Sequence, residues 1–110
     1  MAAPVDLTSL REMTDGDVAM EKELFLEFFS SFESGLKALQ ESCGEAAETT
    51  WRENSHALKG IALNLGAMQL GGLCKKAQDS QKAASDIKAA MLQEMQAEYA
   101  LVKQFLSTML

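Results

Sequence analysis

Proline and histidine are almost absent from this chain: Pro4 is the only proline and His56 the only histidine in 110 residues. Proline interrupts helices because it lacks a backbone N–H and clashes with the preceding turn, so no residue after position 4 prevents long helices in this way. A single histidine argues against a di-iron carboxylate bundle, which needs a Glu-x-x-His motif on each of two helices. Glu53-Asn-Ser-His56 supplies that spacing once.

Cysteines are few, and long apolar runs are missing. Cys43 and Cys74 lie far apart without the C-x-x-C spacing of metal or redox sites, so we expect two reduced thiols. A membrane-spanning helix needs about 18 or more consecutive apolar residues, and no such run or secretory signal is evident. We therefore expect a cytoplasmic protein that does not enter a membrane.

Positive charge is scarce as well. Ten basic residues against sixteen acidic ones give a net charge of −6, which argues against nucleic acid as a partner because nucleic acid selects basic surfaces. Four of the ten basic residues lie in the segment from Ser55 to Lys82 that contains the histidine: Lys59, Lys75, Lys76 and Lys82. An acidic partner would have to bind this local basic patch.

Apolar residues recur at spacings of three and four, which is typical of amphipathic helices. The spacing predicts a short helix over about residues 6–13 and four long helices over about 16–42, 45–65, 67–83 and 87–109. A chain of this length and 47% hydrophobic content suits one domain, residues 1–110. We expect an all-α fold, an antiparallel up-down-up-down four-helix bundle with a short N-terminal capping helix.

Residues at the predicted helix ends have defined roles. Thr14 begins a Thr-Asp-Gly-Asp segment that reads as a capping box for the first long helix, and Ser85 or Asp86 is expected to cap the last one. Gly66 supplies the left-handed residue that closes the second long helix. The Gly71-Gly72 pair would weaken an isolated helix by about 2 kcal/mol relative to two alanines, so we expect another helix to approach closely there.

The helix over 45–65 places the histidine on its outer face. At about 100° per residue, one side carries Trp51, Ser55, Leu58, Ala62 and Leu65. The opposite side carries His56 with Arg52, Lys59, Gly60 and Leu63. A core histidine would share the side of the leucines, so we expect His56 to be exposed.

Lys59 and Gly60 share this face with His56, because positions i, i+3 and i+4 of a helix lie together. A mid-helix glycine costs roughly 1 kcal/mol relative to alanine, and we expect Gly60 to be used where a side chain would crowd the imidazole. The ammonium of Lys59 would then lie near an anion held at the ring. The arrangement predicts a site for a phosphoryl group.

The segment closely resembles the histidine-containing phosphotransfer (HPt) domain family, over essentially the whole chain in length and helix layout. The residues that carry the resemblance are His56, Lys59, Gly60, Leu65, Gly66, Ala67, Leu70, Leu73 and Cys74. H-x-x-K-G alone is a weak motif, and the following G-A-x-x-L-x-x-x-C strengthens it. Ile61 departs from the family pattern, in which a small residue is common, so we expect altered packing at the edge of the core and altered partner preference, without loss of phosphorylation.

This resemblance implies a phosphoryl carrier rather than an enzyme. The family transfers a phosphoryl group between the aspartates of response-regulator receiver domains, in a multistep phosphorelay that starts at a sensor or hybrid histidine kinase. By resemblance, Nε2 of His56 is the phosphoacceptor. The receiver domain brings Mg²⁺ and the catalytic groups, so the chain needs no cofactor. The sequence contains no G-x-x-x-x-G-K-[ST] or G-x-G-x-x-G nucleotide motif.

Gln78 is expected to lie across from His56, 22 residues away, because counting back from the turn at Gly66 brings the two residues to the same level. Several relatives carry glutamine or glutamate at this spacing, in contact with Nδ1. By that resemblance Gln78 accepts a hydrogen bond from Nδ1–H and leaves Nε2 as the nucleophile. In the alternative interpretation, Gln78 and Lys82, one turn beyond it, belong only to a solvated helix face.

Candidate residues for partner docking are Arg52, Leu63, Asn64, Lys75 and Lys82, of which Lys82 matches a position that is basic in some relatives. The main alternative function is a degenerate HPt-like bundle that acts as a non-phosphorylated adaptor or interaction module. The initial methionine and the short first helix favour a free-standing protein. A carrier that exposes one face to successive partners is expected to be a monomer.

Overall fold

Five helices make up the computed structural model, which describes residues 3–44 and 47–110. The helices are α1 (Thr8–Thr14), α2 (Val18–Glu41), α3 (Glu48–Leu65), α4 (Met68–Asp79) and α5 (Ser85–Ser107). No strand occurs in these two ranges, which confirms the all-α class. Within the same ranges, no helix combines the length and apolar character that crossing a membrane requires.

One hydrophobic core lies between the four long helices. α2 packs against α3 and α5, and α4 packs against the same two helices. The four phenylalanines that α2 contributes to the core are Phe25, Phe28, Phe29 and Phe32. The predicted inner side of α3 is buried throughout: Trp51, Ser55, Leu58, Ala62 and Leu65. Ile61 is half-buried and packs against the core, at the edge position that its angle on the helix predicts.

Residues 5–7 cross the turn between α3 and α4. The backbone N–H of Asp6 donates to the carbonyl of Gly66 at 2.9 Å, and Val5 and Leu7 on either side are buried. The N–H and the hydroxyl of Thr8 both donate to Oδ1 of Asp6. These bonds fix the start of α1 at Thr8, two residues later than predicted.

The predicted cap of the first long helix is wrong. Asp17 caps α2 by accepting a hydrogen bond from the backbone N–H of Met20 at 3.1 Å, whereas Thr14 is the last residue of α1. Asp15 and Gly16 have φ values of 52° and 76°, so the chain is left-handed over two residues between the helices. A helix cannot continue through that turn, which moves the start of α2 to Val18.

α3 ends where the sequence predicts, at Leu65. Gly66 follows with a φ of 101° and donates its N–H to the carbonyls of Ala62 and Leu63, which is how a left-handed glycine closes a helix. The predicted start of this helix, residue 45, lies outside the described residues, and the helix is observed from Glu48.

α4 is shorter than predicted, because it ends at Asp79 and not at residue 83. Ser80 terminates it: its N–H donates to the carbonyl of Ala77 at 3.1 Å and its hydroxyl to the carbonyl of Lys76 at 2.8 Å. α5 begins earlier than predicted, with Ala84 at the N-cap and no capping hydrogen bond from a side chain. The predicted caps at Ser85 and Asp86 are therefore wrong.

Candidate functional site

His56 lies on the exposed side of α3. Its sequence neighbour Ser55 and the nearby Leu58 are fully buried, so the helix turns its apolar side inward and presents the imidazole to solvent. The exposure of His56 agrees with the prediction from helix periodicity. A reactive side chain in this position is open to a large partner.

Gln78 on α4 lies directly across from the imidazole. Its Oε1 is 3.4 Å from Nδ1 of His56, a long hydrogen bond when Nδ1 carries the proton. The bond made by one ring nitrogen sets which nitrogen is protonated, so this contact favours the tautomer with a free lone pair on Nε2. Gln78 is half-buried and lies one residue before the last residue of its helix.

Lys59 and Gly60 occupy the next turn of α3 and are both half-buried. Among the described residues, no carboxylate forms an ion pair with Lys59. A Cβ added at Gly60 would meet no atom within 4 Å. A methyl group at this position would therefore not touch the imidazole, and whether a larger side chain would crowd the ring stays a prediction. The glycine leaves open space that a bound partner can enter.

Close packing between α3 and α4 depends on Gly71. A Cβ at this position would overlap the side chain of Leu63, whereas a Cβ at Gly72 would meet nothing within 4 Å. The predicted close approach of a second helix is thus correct at Gly71 and wrong at Gly72. This contact holds α4 beside the face of α3 that carries His56.

Trp51 forms a second connection between the two helices, which the sequence did not predict. Its side chain is fully buried, and Nε1–H donates to the backbone carbonyl of Ala77 at 2.7 Å. The ammonium of Lys88 on α5 lies 5.4 Å from the centre of the indole ring. A buried tryptophan needs an acceptor for its N–H, but the sequence alone does not identify the acceptor.

Cys74 is the other potential nucleophile on α4. It is a free thiol with no exposed surface, and burial raises its pKa to about 12. Since the thiolate is the reactive form, Cys74 stays protonated and unreactive near neutral pH. Within residues 3–44 and 47–110, no group of three histidine, cysteine or acidic side chains could hold a metal ion.

All of the predicted docking residues are exposed: Arg52, Leu63, Asn64, Lys75 and Lys82. Lys75 forms an ion pair with Asp79 at 3.6 Å. Lys82 lies in the turn after α4, so the expectation that it lies one helical turn beyond Gln78 on the same helix is wrong. The early end of α4 separates these two residues.

An apolar groove that the sequence did not predict lies beside this face of α3. The side chains that line it come from α1, α2 and α3 and include Leu10, Met13, Leu24, Ile61 and Asn64. Met13 is 68% exposed at the edge of this groove. The residues of this groove are too far apart in the sequence to form one pattern.

Comparison with protein-family models gives a match to the Hpt domain over residues 23–105. The match extends from the second turn of α2 into the last turn of α5 and contains His56, Lys59, Gly60 and Gln78. Neither the curated proteins nor the solved structures include a significant match to the chain.

Proposed function

Because this chain belongs to the Hpt domain family, we propose that it is a cytoplasmic phosphoryl carrier with His56 as its phosphoacceptor. In this proposal His56 receives the group from an aspartyl phosphate of one receiver domain and passes it to the aspartate of another, in a multistep phosphorelay supplied by a sensor or hybrid histidine kinase. The observation that carries the proposal is an exposed imidazole whose Nδ1 lies beside the amide oxygen of Gln78.

The step proceeds at Nε2. Its lone pair attacks phosphorus, the N–P bond forms, and the bond between phosphorus and the aspartate oxygen breaks to release a carboxylate. The ring keeps the proton on Nδ1 and becomes positively charged, and Oε1 of Gln78 accepts the hydrogen bond from that proton. Transfer to the next aspartate reverses the step, so no proton has to leave the site.

Lys59 and Gly60 contribute charge and space. Phosphoryl transfer depends mainly on positioning and on electrostatic stabilisation of the phosphoryl oxygens. The ammonium of Lys59, one turn from His56, stabilises those oxygens, and the open space over Gly60 admits the phosphoryl group with its donor. We propose that the receiver domain supplies Mg²⁺, and that the chain acts stoichiometrically rather than as an enzyme.

The receiver domain docks on the outer face of α3. The exposed residues Arg52, Leu63 and Asn64 lie on the same helix as His56, and Lys75 and Lys82 add positive charge from α4 and the turn after it. Basic side chains suit the acidic pocket around a receiver aspartate. The groove beside Met13 and Ile61 extends the face with an apolar surface.

The fold supports an antiparallel up-down-up-down bundle within one domain, residues 1–110. The contacts between α3 and α4 occur in reverse order along the two helices: Leu63 meets Gly71 near the turn, and His56 meets Gln78 farther from it. The helices α2, α3, α4 and α5 also pack in a closed circuit. A monomer leaves the face around His56 free for successive partners.

The direct test is phosphoryl transfer to wild type, His56→Gln and Glu48→Gln from a phosphorylated receiver domain and its kinase. Glu48 is exposed on the first turn of the same helix, so its substitution controls for a surface change on α3. We expect an acid-labile, base-stable label on wild type and Glu48→Gln, and none on His56→Gln. Receivers that bind the wild-type chain without labelling it would instead show the adaptor function.

A further inference from the structure

The last turn of α4 carries the side chain that orients the imidazole. Gln78 lies one residue before the end of this 12-residue helix. The last four carbonyls of a helix have no partner within the helix, and helix ends fray. A residue in such a position needs an additional support if its amide oxygen is to stay close to His56.

Trp51 supplies that support from α3. Its Nε1–H donates at 2.7 Å to the carbonyl of Ala77, which belongs to the terminal set and immediately precedes Gln78. The same carbonyl also accepts the N–H of Ser80 at 3.1 Å. The indole bond is the shorter of the two, and it links the end of α4 to the helix that carries His56.

The indole is itself held from a third helix. Trp51 has no exposed surface, and Lys88 of α5 is 1% exposed with its ammonium 5.4 Å from the ring centre. A cation within about 6 Å of an aromatic ring is attracted to its face. The ring therefore has fixed neighbours on α4 and α5 and cannot follow a fraying helix end.

We propose that Trp51 is a positioning residue for the phosphoacceptor: by holding Ala77, it fixes Gln78 at the distance that keeps the proton on Nδ1 of His56 and the lone pair on Nε2. The predicted effect on phosphoryl transfer rests on the proposed function, whereas the tautomer of His56 is a property of the free chain and does not. The tautomer therefore tests the role of Trp51, and phosphoryl transfer tests the carrier function.

The experiment compares wild type with Trp51→Phe, which keeps an aromatic ring and removes the N–H donor. Tyr99→Phe is the matched control, because it also removes one donor from an aromatic side chain, the hydroxyl that bonds Glu33 on the opposite side of the bundle. Gln78→Ala serves as the reference for a lost acceptor. The ¹⁵N shifts of the imidazole report the tautomer, and a phosphorylated receiver domain reports the rate of transfer.

We expect Trp51→Phe to move the ¹⁵N shifts of Nδ1 and Nε2 toward those of Gln78→Ala. We also expect it to slow transfer roughly 10-fold, by analogy with the loss of a residue that orients a metal-bound histidine. Tyr99→Phe should leave the tautomer and the rate as in wild type. Unchanged ¹⁵N shifts in folded Trp51→Phe would overturn the proposal, and so would equal shifts in the two phenylalanine variants. A changed tautomer in a chain that no receiver labels would support the role of Trp51 and refute the carrier function.

Hydrogen exchange of the wild-type protein gives a second test, which decides the matter if Trp51→Phe does not fold. If the indole holds the end of α4, the amides of Gln78 and Asp79 should exchange as slowly as that of Cys74 in the middle of the helix. Exchange that becomes faster toward Asp79, as at an unsupported helix end, would overturn the proposal.

Discussion

The α3–α4 pair and the α2–α5 pair each use one buried aromatic side chain as a hydrogen-bond donor, and the acceptors differ. On one side Trp51 donates to the backbone carbonyl of Ala77 at 2.7 Å. On the other, Tyr99 donates to the carboxylate of Glu33, which also accepts from Lys103 at 2.8 Å. A backbone acceptor is fixed by its helix, whereas a carboxylate at the surface can change its rotamer and its protonation state.

The two helix pairs also differ in what lies between the helices. α4 approaches α3 at Gly71, where the side chain of Leu63 packs directly against the glycine backbone. Between α2 and α5, the rings of Phe32 and Tyr99 stack with centroids 4.9 Å apart, and Phe28 lies 5.9 Å from Tyr99. Buried aromatic rings contribute most to the stability of a fold. Close packing of two helices mainly fixes their position relative to each other. We therefore infer that α2–α5 stabilises the bundle and α3–α4 sets the geometry at His56.

The largest expected effect comes from Phe32→Ala in the α2–α5 pair. Phe32 has no exposed surface, and removal of a buried phenylalanine ring lowers the free energy of unfolding by about 3–5 kcal/mol. Phosphoryl acceptance per folded molecule should stay unchanged. Urea unfolding measures the first quantity, and labelling corrected for the folded fraction measures the second. A slower transfer in the folded fraction would contradict the division of roles.

Gly66→Ala tests the turn between α3 and α4. Gly66 has a φ of 101°, where an L residue is strained, and an added Cβ would overlap the carbonyl oxygen of Asp6. We expect the free energy of unfolding to fall by roughly 2–3 kcal/mol. Unlike Phe32→Ala, this change should also slow phosphoryl acceptance by the folded protein, because the turn sets the register of Gln78 against His56. Equal transfer rates in folded Gly66→Ala and Phe32→Ala would contradict the division of roles between the two helix pairs.

The neighbouring glycines of α4 offer a matched pair. Gly72→Ala should raise the free energy of unfolding by about 1 kcal/mol, because alanine is the better helix former and the new methyl group meets nothing. Gly71→Ala has the same gain in propensity but must displace Leu63. We expect Gly71→Ala to be less stable than Gly72→Ala by about 1 kcal/mol, as measured by thermal unfolding. Equal stabilities would show that the contact at Gly71 is not tight.

The smallest effect concerns pH and Glu33. Hydrogen bonds from Lys103 and, second, from Tyr99 hold the pKa of Glu33 below its ordinary value of 4.5. A depressed folded-state pKa adds stability above the unfolded pKa and loses it as the pH falls through the folded value. Glu33→Gln should thus be less stable than wild type near pH 6 by less than about 1 kcal/mol, since the pair is half-exposed. The difference should shrink as the pH falls below 4.5 and through the lowered pKa of Glu33, as urea unfolding at pH 6 and at a series of lower pH values would show.

Helix periodicity in the sequence was sufficient to predict most of the site. The inner side of α3, from Trp51 to Leu65, is buried because apolar residues at a 3.6-residue period must share a face. Gly66 closes the helix because it alone there adopts a positive φ without strain. With the turn fixed at Gly66, His56 and Gln78 lie at similar distances from the turn along the chain, one before it and one after it. This was enough to predict that Gln78 lies across from His56.

The sequence did not predict features for which several residues were equally suitable as a helix end, a cap or a hydrogen-bond acceptor. Residues 79–86 contain no proline or glycine to stop a helix, and the hydrogen bonds of Ser80 decide that α4 ends before Lys82. Thr14 and Asp17 are both good capping residues, and the left-handed conformation of Asp15 and Gly16 selects the second. The hydrogen bond from Trp51 goes to the backbone carbonyl of Ala77. Because every residue has a backbone carbonyl, the sequence does not indicate which one accepts the bond.

The buried indole of Trp51 also gives the bundle an internal fluorescent probe. Trp51 is the only tryptophan in the chain, so the tryptophan emission, excited selectively over that of Tyr99, comes entirely from the interior between α3, α4 and α5. The tryptophan emission of the native protein therefore reports on the packing of α3, α4 and α5, while circular dichroism reports on all five helices together. Receiver domains without tryptophan can be titrated against this chain with no attached label, and any change in emission arises from the half of the molecule that carries His56.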